Sequence, residues 1–228
     1  LSSSSAASDV YKRQVLWRHG QTDWNVENRF QGHSDIPLNK VGQYQASEAA
    51  KVLAALRPDR IISSDLIRAQ STAAALAALT DIKVEINPNL RETDGGLWEG
   101  KLASENRATH GELFANWYEG GDEPAGVTGE RRSDVAKRAV AVIEKETTNF
   151  SGTIVFVTHG GTVRSVLGSI LKLPIAQWGV IGGLSNACWS ILELTKHHTG
   201  SRWYLAEHNA GSLPCLLYTS PSPRDVEE

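Results

Sequence analysis

The stretch LWRHGQTDWN, residues 16–25, decides the fold. An apolar run, Val15-Leu16-Trp17, ends in Arg18-His19-Gly20 and then turns polar. Such a run, bounded by a turn signal, predicts a buried strand. Open α/β sheets bind ligands in the crevice beyond the carboxyl ends of their strands, so His19 is expected at such a crevice. Gly20 is expected to let the chain turn sharply and pass close to the ligand. A guanidinium at Arg18 can fork onto phosphate oxygens while a neutral imidazole at His19 attacks.

The pattern recurs. The most apolar strand candidate, Ile154-Val155-Phe156-Val157, ends in Thr158-His159-Gly160-Gly161 and enters a helical stretch over 163–171. In a parallel sheet both histidines share one edge, and the helix after each can aim amide N–H groups, Gly160 among them, at an anion. Arg68 falls in the first turn of the helix after a short strand at 60–63, which points it toward the same edge. Glu92 sits in the glycine-punctuated loop LRETDGGLWEG, residues 90–100, where its carboxyl group can overhang a pocket as general acid/base. Read singly, Arg68 is equally a surface partner for Asp65, and Glu92 a solvated carboxylate.

The remaining chain alternates strands and helices. A helix is expected over 41–56 with Val41, Tyr44, Ala49, Val52, Leu53 and Leu56 on its apolar face. Another runs from a Ser64 or Asp65 cap to 79, a third over 102–118 is broken at Gly111, and a fourth covers 133–147. Val135, Ala139, Val142 and Ile143 are the inward face of that fourth helix. A strand at 84–86 belongs at an edge, and strands at 187–194 and 203–207 are joined as a hairpin through KHHTG. The implied architecture is three-layer α/β/α with a mainly parallel central sheet. His33 and His208 read as solvated loop residues, and His197-His198 has no further ligand spacing, so no metal is expected.

Composition narrows the classes. At 228 residues, 40% hydrophobic and 21% charged, the chain is long enough for one large domain with ordinary globular balance. A formal charge of −3 gives no reason to expect nucleic acid as partner. No apolar run approaches the roughly 20 residues of a membrane helix, and no secretory leader is recognisable. Cys188 and Cys215 make no disulfide framework, which points to a reducing, cytoplasmic setting. Cys188 reads as a buried apolar residue. A second copy of the chain in a homodimer is the one protein partner left open.

Both ends resemble translated adapter sequence from transposase-based DNA library preparation. GATGTGTATAAGAGACAG encodes Asp9 to Gln14, and its reverse complement, shifted by one base, encodes Cys215 to Thr219. Residues 1–14 and 215–228 are therefore expected to be foreign, leaving a single domain over 15–214 whose first strand is extended by Lys12 to Gln14.

WRHGQTDWNVENRFQGHSDIPLN, SSDLIRAQSTA, LRETDGGLWEG and VTHGG, in that order, resemble the motifs of the histidine phosphatase superfamily, the phosphoglycerate mutase-like proteins. The resemblance implies a phosphohistidine mechanism that needs no cofactor and no metal. His19 would be the nucleophile and Glu92 the proton donor. Arg18, Asn25, Arg68, His159 and Gly160 would bind the phosphoryl group, with His159 as an imidazolium, and Thr22 and Gln31 would border the substrate. The family often has GES where this chain has Gly129-Glu130-Arg131, which leaves Glu130 unassigned and gives Arg131 a substrate-facing charge. The stretch between Glu92 and His159 is shorter than in the family's mutases, and the C-terminal half resembles actinobacterial phosphatases. The expected activity is hydrolysis of a small phosphorylated metabolite, a sugar phosphate or phosphoglycerate derivative. The alternatives are a cofactor-dependent phosphoglycerate mutase and a non-catalytic phospholigand-binding module.

Overall fold

The computed structural model describes residues 12–197 and 200–212. One sheet of six strands runs in the order β3-β2-β4-β1-β5-β6. Its strands are β1 (Lys12–Arg18), β2 (Arg60–Ser63), β3 (Val84–Ile86), β4 (Gly152–Thr158), β5 (Trp189–His197) and β6 (Gly200–Ala210). β1, β2, β3 and β4 pair in parallel, while β5 and β6 add an antiparallel hairpin beside β1. The sheet is thus mixed, with the parallel part at the end that carries the two histidines. The turn residues 198–199, with His198 of the His-His pair, lie outside the described residues, as do 1–11 and 213–228.

Among the described residues there are six α-helices: α1 (Asp23–Val26), α2 (Lys40–Ala55), α3 (Ile67–Thr80), α4 (Ala103–Glu119), α5 (Arg132–Thr147) and α6 (Gly160–Ile170). Alternation along β1 sorts the core into two layers, because successive side chains face opposite sides of a sheet. Leu16 packs with Ala139, Val142 and Ile143 of α5 and Val163, Val166 and Leu167 of α6. Val15 and Trp17 pack with Ala49, Ala50 and Leu53 of α2 and Ala69, Ala73 and Leu76 of α3. Cys188 is buried in the first layer.

Three local expectations are corrected. The buried face of α2 is Gly42, Gln45, Ala46, Ala49, Ala50 and Leu53, while Val41, Tyr44 and Val52 are exposed. Small residues win because α2 and the loop after β1 run almost in contact: a Cβ on Gly20 would lie 2.3 Å from the Gly42 carbonyl oxygen. Gly20 is therefore required by this helix contact, more than by any turn toward a ligand. The N-cap of α3 is Leu66, with no side-chain cap, because Ser64 turns to His159 and Asp65 pairs with Arg91. The break in α4 falls at His110, whose φ of −135° and ψ of 43° are non-helical, one residue before Gly111.

Lys12 to Gln14 extend β1 along Gly152 to Ile154. Lys12 Nζ donates to the Thr147 and Thr148 carbonyls at the end of α5, and Arg13 pairs with Glu193. Gln14 fits less well. It is 1% exposed, opposite Ile154 and Leu192 of the apolar layer, and neither its amide oxygen nor its nitrogen has a hydrogen-bond partner. An unsatisfied buried amide costs about 1–3 kcal/mol. Gln14→Val, similar in volume and suited to a strand, should raise the thermal midpoint by a few degrees, at roughly 2–4 °C per kcal/mol for a chain of this size. A lower midpoint in scanning calorimetry would refute this.

Candidate active site

The parallel register of β1 and β4 sets Arg18 opposite Thr158, so the residues that follow leave the sheet side by side. The His19 amide donates to the Thr158 carbonyl at 3.0 Å, and the imidazole centroids of His19 and His159 are 5.2 Å apart. Above them opens a cavity of about 320 Å³ whose wall includes Arg18, His19, Asn25, Gln31, Arg68, Glu92 and Gly160.

His19 is 3% exposed. Its Nδ1 lies 2.7 Å from the Gly20 carbonyl oxygen. A carbonyl can only accept, so Nδ1 holds the ring proton and Nε2 keeps a free lone pair. Burial holds the imidazole pKa well below 6.5, and the Arg68 and Arg18 guanidiniums push it the same way against the Gly20 carbonyl. His19 is therefore neutral at pH 7.

His159 is fully buried beside His19. Its Nε2 lies 2.9 Å from Ser64 Oγ, at the end of β2, and its Nδ1 is buried without a partner. Burial, then Arg68, His19, Arg138 and Arg18, hold its pKa well below 6.5. The expected imidazolium is thus disfavoured here. With the Ser64 hydroxyl donating to Nε2, a neutral ring still offers Nδ1–H as a donor.

Arg68 is fully buried rather than at the surface. Its Nη1 and Nη2 each donate at 2.8 Å, to the Ser34 and Gly32 carbonyls, while Asp65 binds Arg91 instead. Burial lowers the Arg68 pKa to about 10, with Glu92 and Asp35 opposing, so the charge is retained at pH 7. Arg18 Nη1 donates to the Leu184 carbonyl, and the Nε of both arginines is buried and unpaired.

The Glu92 carboxylate accepts from the backbone amides of Thr93, Gly161 and Thr162 at 2.9, 3.0 and 3.1 Å. Two first-turn amides of α6 are therefore taken by Glu92 and are not free for an outside anion. The contact is so close that a Cβ on Gly161 would lie 2.6 Å from Glu92 Oε1. Gly160 lines the cavity against the Arg18 guanidinium. The loop carrying Glu92 is pinned from α5: Arg138 donates to the carbonyls of Asn89, Arg91 and Glu92 and to both Glu130 oxygens. Glu130 in turn accepts from the Asp94 amide. That is the place of Glu130, left unassigned by the sequence.

α1 is short and capped reciprocally by Thr22 and Asn25. Asn25 Oδ1 also accepts from Asn186, which holds the His19 carbonyl. Thr22, expected at the border of the substrate, is instead fully buried behind the cavity wall, with its hydroxyl 3.0 Å from Gln31 Oε1. Capping explains the displacement: that hydroxyl must face the α1 amides. His33 binds the Glu92 carbonyl, and His208 bonds Ser190 and the Gly182 carbonyl on the far hairpin.

Arg131 is exposed, donating to the Asp122 carbonyl, and does not face the cavity. Arg132 and Arg164 do, together with Phe30, Phe114, Trp117 and Tyr118. The signals were present. Arg132 continues the buried stripe of Val135, Ala136 and Ala139, and Arg164 is one helical turn from Gly160. Among the described residues no group of His, Cys, Asp and Glu is placed to hold a metal ion, and no helix is long and apolar enough to cross a membrane.

Residues 14–209 match the model of the histidine phosphatase superfamily, branch 1. The chain belongs to the histidine phosphatase superfamily. It is 38% identical over 217 residues to the glucosyl-3-phosphoglycerate phosphatase of Mycobacterium tuberculosis, covering 88% of this chain and 96% of that one. A probable phosphoglycerate mutase of Yersinia enterocolitica is 34% identical over 164 residues, covering 70% and 74%. The solved mycobacterial glucosyl-3-phosphoglycerate phosphatase in complex with VO3 superposes with a TM-score of 0.81 at 37% identity, over 87% of this chain and 99% of that one.

Two predictions test the site. In the unfolded chain His19 and His159 bind protons near pH 6.5, whereas the folded protein keeps both neutral to well below it. Their contribution to stability is full above pH 6.5 and falls as pH drops below it, where the unfolded state binds more protons. Urea midpoints should decline from pH 7.5 to pH 5, and His159→Leu should show a shallower decline. Separately, Arg138→Met should free the Glu92 loop and lower kcat by about a hundredfold, the cost of a small misplacement of a reacting group, with KM changed less. An unaltered kcat would show that the loop holds itself.

Proposed function

We propose that the protein hydrolyses small phosphomonoesters through a phosphohistidine on His19. One observation carries this reading: a neutral imidazole whose Nε2 lone pair is free, at the wall of a cavity flanked by the half-buried guanidinium of Arg18 and the buried one of Arg68. His19 Nε2 attacks phosphorus and the ester P–O bond breaks. The leaving alkoxide takes its proton from Glu92. Water, giving a proton to Glu92, then attacks phosphorus and the P–N bond breaks, releasing phosphate and free His19. Arg18, Arg68 and the Nδ1–H of His159 stabilise the charge on the phosphoryl oxygens, with Gly160 giving them room and Asn25 and Gln31 bordering the group. In a site partly withdrawn from water such charges act more strongly than in solution. No step calls on a metal or cofactor.

The similarity to glucosyl-3-phosphoglycerate phosphatases supports a sugar phosphate or phosphoglycerate derivative as substrate. The aromatic side of the cavity, with Trp24, Phe30 and Trp117, suits the apolar faces of such an organic portion. We place the protein in the cytoplasm, where these metabolites occur, and assign the phosphatase domain to residues 15–214.

The wild type should release phosphate from p-nitrophenyl phosphate and His19→Ala should not. Equal rates in the two would end the phosphohistidine reading. Because the imidazole pKa is depressed by burial, the acid limb of kcat/KM should fall below pH 6.5, the ordinary histidine value. A limb above it would show that His19 is charged near neutrality.

A further inference from the structure

Glu99 closes the LRETDGGLWEG loop, and no step of the proposed reaction uses it. The side chain is half-buried and follows the short turn Gly96–Trp98. Its Oε1 accepts from the His33 amide at 2.7 Å and the Gly95 amide at 3.0 Å. Its Oε2 accepts from the Ser34 amide at 3.0 Å and the Ser34 hydroxyl at 2.8 Å. At Phe30 the backbone itself joins the two loops, by hydrogen bonds with Gly100 and Lys101. Across 32–34 no backbone-to-backbone bond does so among the described residues. There the Glu99 carboxylate makes the joint, together with the His33 ring on the Glu92 carbonyl.

The same segment holds Arg68. The Gly32 carbonyl, in the cavity wall, and the Ser34 carbonyl accept from its Nη2 and Nη1 at 2.8 Å each. The Gly32 carbonyl and the His33 amide belong to one planar peptide unit, whose C=O and N–H point opposite ways. Carboxylate, peptide and guanidinium thus form a chain of charge-assisted hydrogen bonds in which each bond polarises the next. The turn is shaped around that chain: Gly32 has a φ of 50°, and a Cβ there would collide with the Glu99 carboxylate. Burial lowers the Arg68 pKa to about 10, and Glu99 is among the groups that oppose the fall.

We infer that Glu99 is a positioning residue: through the Gly32–His33 peptide it holds the Arg68 guanidinium in place for the phosphoryl group. The inference rests on the proposed function for the identity of that anion, but its test needs no turnover.

Glu99→Gln keeps the size of the side chain, removes its charge and sets an amide donor against backbone amides. In heteronuclear NMR the Arg68 Nη–H signals, identified by their loss in Arg68→Lys, should exchange with water about tenfold faster than in the wild type, the scale of one lost hydrogen bond to a charged group. The Arg132 signals, held by the Gly121 and Trp117 carbonyls, should stay as they are. Calorimetric binding of inorganic phosphate, read on the folded fraction, should weaken by a similar factor. Glu99→Asp, which keeps the charge but withdraws it by one methylene, should show both changes and replaces Glu99→Gln if that variant does not fold. Unchanged Arg68 signals overturn the inference even where phosphate binds more weakly, because the loss then runs through His33 and Glu92. Equal acceleration at Arg68 and Arg132 overturns it too, since that is a general loosening. So does a phosphate affinity equal to that of the wild type, or a wild type that binds no phosphate. A wild type that binds phosphate yet does not turn over p-nitrophenyl phosphate ends the phosphatase reading alone, and the two measurements still decide the role of Glu99.

Discussion

The site depends on one backbone ladder, the parallel pairing of β1 with β4. Neither histidine has any local reason to find the other, because 140 positions separate His19 from His159. The ladder supplies it: with Arg18 level with Thr158, both strands end at the same height and the next residue of each turns into the same space. A one-residue slip would invert the faces of β1, exchanging Leu16 with its neighbours Val15 and Trp17 between two dry layers. The two-sided core therefore enforces the register, and the register places the imidazoles.

Charge then decides what those imidazoles are. Burial, reinforced by the Arg68 and Arg18 guanidiniums, keeps both rings neutral, so the proposed cationic work falls to arginine, which keeps its charge at working pH, and the proposed nucleophilic work to histidine. Glu92 follows the same division. Its carboxylate is seated on the α6 amides, and the Arg138 and Glu130 clasp lies behind its backbone. The helix amides near His159 thus act on the proposed acid/base group, and the proposed work of binding phosphate falls to side chains from four separate elements.

Much of this was legible in the chain because periodicity and strand ends are local. The two His-Gly strand ends, the edge position of β3, the hairpin and the inner face of α5 all follow from short windows. What failed was decided by long-range contact. The apolar stripe drawn on α2 was a fair reading of hydrophobicity, but the backbone of the loop after β1 comes so near Gly42 that only small residues fit there. Ser64 has every local feature of a helix cap, yet a buried imidazole claims its hydroxyl. Thr22 does cap a helix, and that duty turns it away from the cavity.

The arginines show the same limit most sharply. Arg131 and Arg132 are adjacent, and the departure from the family's GES pattern draws the eye to the first. Yet neighbours in a helix point about 100° apart, and only Arg132 continues the stripe that α5 buries. Arg164 is hidden for a different reason: it follows the His-Gly-Gly signature closely enough to be read as part of a phosphate loop. In space it shares the cavity wall with Arg18 and Arg132, whose charges it repels.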